Sequence, residues 1–330
     1  MISEPIDAVY TWVNGDDDAF QQRLSKYRCK TREEDENATG PKRFRDNGEL
    51  RYSLRSLYRH LPWIRHIYLV TNGQIPTWLD TNHPGLTLVQ HESIYPNASH
   101  LPTFNSTSIE CHLHRIPGLA KRFLYFNDDS FLGDTVRKDD FYSSSSGFRI
   151  RLEHWGISDR SEDWPVHDRI YHNTQKLLKR KFEISHAFLN PIHAPCLIDR
   201  DLMTAVLDLY PEEVDRTSSH RFRCVDGIAP IYLYVHYLIS KPLPHRIWVH
   251  QSQQKWSSLF RRFAARCSLL PRAKVEYLLL QDAAPSHLSI LSEIQPKFLA
   301  IQDNGNVEMP NLQKVLNRIF PEPSPYERID

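Results

Sequence analysis

Four short apolar runs constrain the fold of this 330-residue chain more than any other feature: residues 6–13, 66–71, 86–90 and 122–127. Each is rich in β-branched or aromatic residues, and several stop at turn-forming or polar residues, the pattern of buried strands. Between two of them, Glu49–His60 sets Leu50, Leu54, Leu57 and Tyr58 on one helical face and Arg51, Arg55 and Arg59 on another. Strands alternating with helices predict an α/β fold, with a mostly parallel, Rossmann-like sheet flanked by helices. The length suits one large domain or two intimate ones. No internal repeat occurs and chemistry-bearing stretches run from end to end, so residues 1–330 are taken as one unit.

The second half reads as helix-rich. Helices are expected at 199–209, where Asp199 is suited to capping, and at 226–240, an almost wholly apolar, Tyr-rich run. Further helices are expected at 255–265, 272–280 and 312–319, with a strand at 297–302. Residues 30–42, 143–147 and 159–168 read as loops, and the proline-rich tail from Pro321 as neither helix nor strand.

Charge is balanced, Lys+Arg 41 against Asp+Glu 40, so no global field selects nucleic acid or an anionic membrane. An anionic substrate must be held by local cations or backbone N–H groups. No apolar run approaches the ~20 residues that span a bilayer. The start, from Met1 to Asp7, lacks the features of a secretory signal. The expectation is a soluble cytoplasmic protein, at most peripheral to the inner face of a membrane, and the three Asn-x-Ser/Thr sequences carry no weight. Five widely spaced cysteines without a C-x-x-C pair give neither a zinc site nor a disulfide framework, and read as buried, unreactive thiols.

In open α/β sheets, ligands bind beyond the carboxyl ends of the strands. The sharpest strand end runs from Phe123 through Phe126 into Asn127, Asp128 and Asp129. Adjacent carboxylates repel, which suits a hard divalent cation; a plain turn weighs equally on this feature alone. Three more strand ends resemble it: Gln302-Asp303-Asn304, Thr71-Asn72-Gly73, and Trp12-Val13-Asn14-Gly15. A turn is the plainer reading of each. His193, in a proline-broken segment, suits a general base, and Arg223 suits an anion site or an ion pair with Asp226. There is no P-loop, G-x-G-x-x-G, G-x-S-x-G or H-E-x-x-H sequence.

Together these stretches resemble the Stealth family of hexose-1-phosphate transferases, in four blocks at 6–16, 43–141, 186–239 and 297–326. The family includes bacterial capsule and exopolysaccharide phosphotransferases and the catalytic part of the lysosomal-enzyme N-acetylglucosamine-1-phosphotransferase. The first block reads Ile6-Asp-Ala-Val-Tyr-Thr-Trp-Val-Asn-Gly15, and the third holds His193-Ala-Pro-Cys-Leu-Ile-Asp199. The resemblance implies a nucleotide-sugar transferase-like sheet and transfer of a sugar-1-phosphate from a UDP-sugar, UDP-GlcNAc foremost, to a glycan hydroxyl, with release of UMP. It implies Mg²⁺ or Mn²⁺ at Asp128, Asp129 and Asp303. It gives catalytic roles to Asp128, Asp129, His193, Arg223, Glu110 and Asp226, and substrate contacts to Asp7, Trp12, Asn14, Gly15, Asn47, Arg51, Asn72 and Asn304. Gln302 departs from the asparagine the pattern expects. A glycosyltransferase releasing UDP and a non-catalytic glycan-binding protein are the alternatives.

Overall fold

The computed structural model describes residues 4–28, 36–157, 165–250, 275–281, 291, 296–303 and 307–328. Its main sheet has the order β3-β2-β1-β4-β8. The strands are β1 (Ile6–Thr11), β2 (Ile64–Thr71), β3 (Leu86–Gln90), β4 (Arg122–Asn127) and β8 (Cys196–Asp199). The first four are parallel and β8 runs antiparallel to β4, so the mostly parallel sheet expected from the alternating pattern is present. The chain builds outward from β1 through β2 to β3, then returns to place β4 on the other flank of β1. That reversal is a topological switch point, where a crevice opens beyond the carboxyl ends.

A second sheet, β10-β11-β5, joins β10 (Tyr277–Gln281) and β11 (Phe298–Gln302) in parallel, and sets β11 antiparallel to β5 (Ser130–Leu132). Only Asp128 and Asp129 separate β4 from β5, so this acidic pair is the corner between two sheets. A third sheet holds β6 (Tyr142–Ser143), β7 (Gly147–Glu153) and β9 (His245–His250).

Helix α3 (Glu49–His60) begins after Gly48, whose φ of +83° is one that glycine adopts without strain. Leu50, Leu54 and Leu57 are each 1% exposed, a burial worth ~1.5–3 kcal/mol per side chain. The helix clamps β5: Ser53 Oγ donates to Ser130 O, and Leu132 N donates to Ser56 Oγ at 3.1 Å. On its other flank Arg55 makes a bidentate pair with the buried Glu327, at 2.7 and 2.8 Å, and Arg51 Nε bonds the same carboxylate. The tail thus returns to the second block, and the expected substrate contact Arg51 is instead a structural partner of Glu327.

Several boundaries differ from expectation. Residues 277–281 form a strand rather than part of a helix, because this short apolar run pairs with β11; a run of four or five apolar residues fits either element. The helix expected from residue 226 starts at Pro230, which opens α8 (Pro230–Ser240), where a proline needs no N–H partner. Asp199 caps α6 (Arg200–Leu207) by accepting from Asp201 N and Leu202 N. Helices α1 (Asp18–Arg28), α2 (Glu36–Thr39), α5 (Val166–Lys181) and α7 (Pro211–Ser219) were not anticipated, and α2 and α5 run into stretches expected to be loops. The last helix, α9, spans Met309–Ile319. Among the described residues, the second half carries four strands alongside its helices. The helix expected at 255–265 lies outside the described residues.

Burial opposes ionisation of Glu327, yet the guanidinium of Arg55, the Ser324 N–H and Arg51 outweigh it and hold the carboxyl at about 2. Its stabilising effect is therefore complete above the ordinary value near 4.5 and is lost as pH falls towards 2. Glu327→Gln should lower the unfolding free energy by ~3 kcal/mol at pH 7, as when one partner of a buried pair is removed. Urea unfolding should show the gap from the wild type closing as pH is lowered from 4.5.

Candidate active site

The register sets the site. Thr11 of β1 pairs with Val70 of β2 and Asn127 of β4, so residues 12–15, 72–73 and 128–129 all leave the sheet at one edge. β8 enters antiparallel with Cys196 opposite Tyr125, so His193 lies just outside the same edge. From the second sheet, Ala300 pairs with Ser130 and Ile301 N donates to Asp129 O at 3.1 Å, which brings Asp303 there as well.

His193 Nε2 lies 2.7 Å from Asp129 Oδ1. A carboxylate only accepts, so Nε2 carries the hydrogen, and in the neutral imidazole the lone pair is on Nδ1. Burial opposes the imidazolium, but Asp129 above all, then Glu110 and Glu153, raise His193 above its ordinary value. His193 N also donates to the Tyr277 hydroxyl at 3.2 Å, and that hydroxyl bonds Glu153.

Asp128 is half-buried beside like charges. Burial, then Asp129, Glu49 and Asp46, push its carboxyl well above the usual range. Glu49 is pushed up to about 7, chiefly by burial. Its two oxygens accept from Asn47 N at 2.7 Å and Asn47 Nδ2 at 2.8 Å. Asn47 is 1% exposed, also donates to Asp303 Oδ2 at 3.1 Å, and leaves its buried Oδ1 without a partner. Burial pushes Asp46 up, offset in part by the Gly48 N–H and Trp12, and Arg45 pairs with Asp303 at 3.1 Å. Asp46, Glu49, Glu153 and Tyr277 were not singled out in the sequence. An acid in the first turn of α3 is ordinary at a helix start, so the sequence alone gives it no reason to stand out.

Glu110 closes α4 (Ser106–Glu110). Burial pushes it up to about 8, while the Tyr125 hydroxyl, His193 and the backbone at Ile231 act the other way. The same Tyr125 hydroxyl lies 3.1 Å from both Thr11 Oγ1 and Asn127 Oδ1, linking β1 to β4. At the other end of α4, Arg223 Nη2 donates to Ser106 Oγ at 2.6 Å. A five-residue helix is ~7 Å long, so Arg223 and Glu110 are anchored at opposite ends of this short helix.

Other expected contacts are placed elsewhere. Asp7 is fully buried at the opposite, amino edge of the sheet, where Arg65 and Ala120 N take both its oxygens. Asp226 is exposed and faces Arg216 and His220, and α8 starts too late for Arg223 to sit at its N-terminus. Asp303 is engaged by Arg45, Asn47 and Val307 N. Gly15 is required by packing: a Cβ there would lie 2.2 Å from Phe44 O. Asn14 braces the loops after β1 and β2 through Gln74, at 3.0 and 2.8 Å, and Asn72 Oδ1 accepts from Gln74 N. Asn304 lies outside the described residues.

A histidine–carboxylate pair, flanked by crowded acids, thus lies at the switch point of a mostly parallel sheet. Three family models match the chain: Stealth protein conserved region 1 at residues 4–32, region 2 at 43–150 and region 3 at 192–240. The chain belongs to the Stealth family. It is similar to an exopolysaccharide phosphotransferase of Streptomyces coelicolor, 35% identical over 98% of this chain and 52% of that one. It is similar to the capsular polysaccharide phosphotransferase SacB of Neisseria meningitidis serogroup A, 38% identical over 71% of this chain and 43% of that one. To the alpha/beta subunits of mouse N-acetylglucosamine-1-phosphotransferase it is 50% identical over 43% of this chain, which is 11% of that one. The chain spans about half the length of the curated relatives matched over nearly all of it.

Because like charges press on Asp128, its neutral isostere should relieve them. Asp128→Asn should melt at a higher temperature than the wild type when both are scanned in EDTA at pH 8; an unchanged or lower midpoint would contradict the crowding described above.

Proposed function

We propose that this chain transfers a hexose-1-phosphate, with N-acetylhexosamine-1-phosphate the first choice, from a UDP-sugar to a glycan hydroxyl in capsular or exopolysaccharide synthesis. The observation that carries the reading is the 2.7 Å contact between His193 and Asp129 at the corner of the two sheets. It orients a base whose Nδ1 is left to take a proton, beside acids suited to a metal-bound diphosphate. The names of the relatives, phosphotransferases of exopolysaccharide, capsule and N-acetylglucosamine-1-phosphate, agree with it.

In this reading the acceptor hydroxyl loses its proton to His193 as its oxygen bonds the β-phosphorus of the donor. The bond from that phosphorus to the bridging oxygen breaks, UMP departs, and the sugar-1-phosphate remains as a phosphodiester. Asp129 fixes the imidazole and stabilises the imidazolium that forms. Arg223, anchored on α4 by Ser106, is the cation assigned to the donor phosphates. The surplus of carboxylate around Asp128 fits a hard divalent cation, which needs only one or two such ligands beside phosphate oxygens. Asp128 and Asp129 would hold Mg²⁺ or Mn²⁺, which supplies charge neutralisation to the diphosphate. Among the described residues no helix is long and apolar enough to cross a membrane, in keeping with action in the cytoplasm at the inner face of the membrane on a polymer under synthesis.

The test is a screen of UDP-sugars with Mg²⁺ or Mn²⁺ and glycan acceptors, reading the nucleotide set free. UMP is expected; release of UDP would mean attack at the sugar carbon and would overturn the proposal. Asp128→Asn should leave a folded protein with almost no turnover. His193→Ala should lower kcat by ~10²–10⁴-fold and change donor affinity far less; the opposite split would make His193 a binding residue.

A further inference from the structure

The turn between α7 and α8 gathers an imidazole, a thiol and a carboxylate that the site above does not use. His220, Cys224 and Asp226 each bring one ligand atom within 4.8 Å of the others. A backbone bond from Gly227 N to Cys224 O, 3.0 Å, closes the turn. From α5, Asn173 Nδ2 donates to Val225 O at 2.6 Å and Gly227 O at 3.3 Å, so the turn is shaped without any ion. His220 Nε2 stands 3.6 Å from Asp226 Oδ1. That is too long for a hydrogen bond, but close to the ~3.3 Å between two ligand atoms each ~2.0–2.1 Å from a tetrahedral zinc ion. Arg216 faces the other oxygen, Oδ2, and donates to Asp226 O, which turns Oδ1 towards His220.

We propose that His220, Cys224 and Asp226 form a binding site for one zinc-like divalent cation, with the fourth position open to water. The ligand set of nitrogen, sulfur and carboxylate oxygen selects a borderline cation over Mg²⁺. A metal takes histidine as the neutral imidazole. A metal takes cysteine as the thiolate, so binding to the Cys224 thiol releases its proton. The ion clamps the turn that carries Arg223. This site stands independently of the phosphotransfer reading.

The test is anaerobic titration of the reduced, metal-free full chain with Co²⁺. One equivalent should give a thiolate-to-cobalt charge-transfer band, displaced by Zn²⁺, absent from Cys224→Ser and retained in Asp128→Asn. His220→Gln should weaken Co²⁺ binding by ~10-fold or more. In the wild type, Zn²⁺ should slow alkylation of Cys224 by iodoacetamide, read by peptide mass mapping, which decides the matter even if Cys224→Ser fails to fold. No charge-transfer band, a band that survives in Cys224→Ser, or alkylation indifferent to Zn²⁺ would overturn the proposal.

Discussion

The carboxylates crowded at the corner between β4 and β5 are the feature on which the rest of the structure depends. Asp128 and Asp129 stand side by side with Glu49 and Asp46 near, and like charges at such separations disfavour ionisation. A chain selected for stability alone would not assemble them. The surrounding architecture holds them in place: β1 and β4 in register, α3 bonded across to β5, and Asn47 spanning Glu49 and Asp303. The cost is met by the core beneath, where Phe123, Leu124, Phe126, Phe131 and Leu132 are fully buried on either side of the acidic pair.

The same corner explains how distant parts of the chain serve one region. β4 ends there, β11 aligns with β5 there, and β8 brings His193 to it from the antiparallel side. Glu110 arrives on a short helix and meets Tyr125, whose hydroxyl also ties β1 to β4. The Glu327 carboxylate then binds the tail back to α3, so the helix carrying Glu49 is fixed from both sides. Stability and site geometry share the same parts.

Much of the fold was legible because its signals are local. The runs 86–90 and 122–127 are strands with the bounds read from the sequence, and Glu49–His60 is a helix with its leucines inward. The misreadings have a common origin. Residues 277–281 are apolar enough for a helix or a strand, and their pairing with β11 decides between them. Asp7 and Arg51 carry the residue types of a binding site, yet Arg65 and Glu327 claim them, and those partners lie 58 and 276 residues away in the chain. Glu49 went unnoticed, because nothing nearby in sequence reveals that Asp128 comes close to it.

By itself, then, the sequence determined the alternation of strands and helices, the placing of acids at strand ends, and the family to which the chain belongs. Those properties rest on hydrophobic period and on contiguous motifs, which are written in neighbouring residues. Tertiary structure alone decided which acids converge, that His193 is held by Asp129, and that Asp226 turns away towards His220 and Cys224. Charge crowding and ligand geometry act through space over a few ångströms, and the distances that set them do not exist until the sheets have paired.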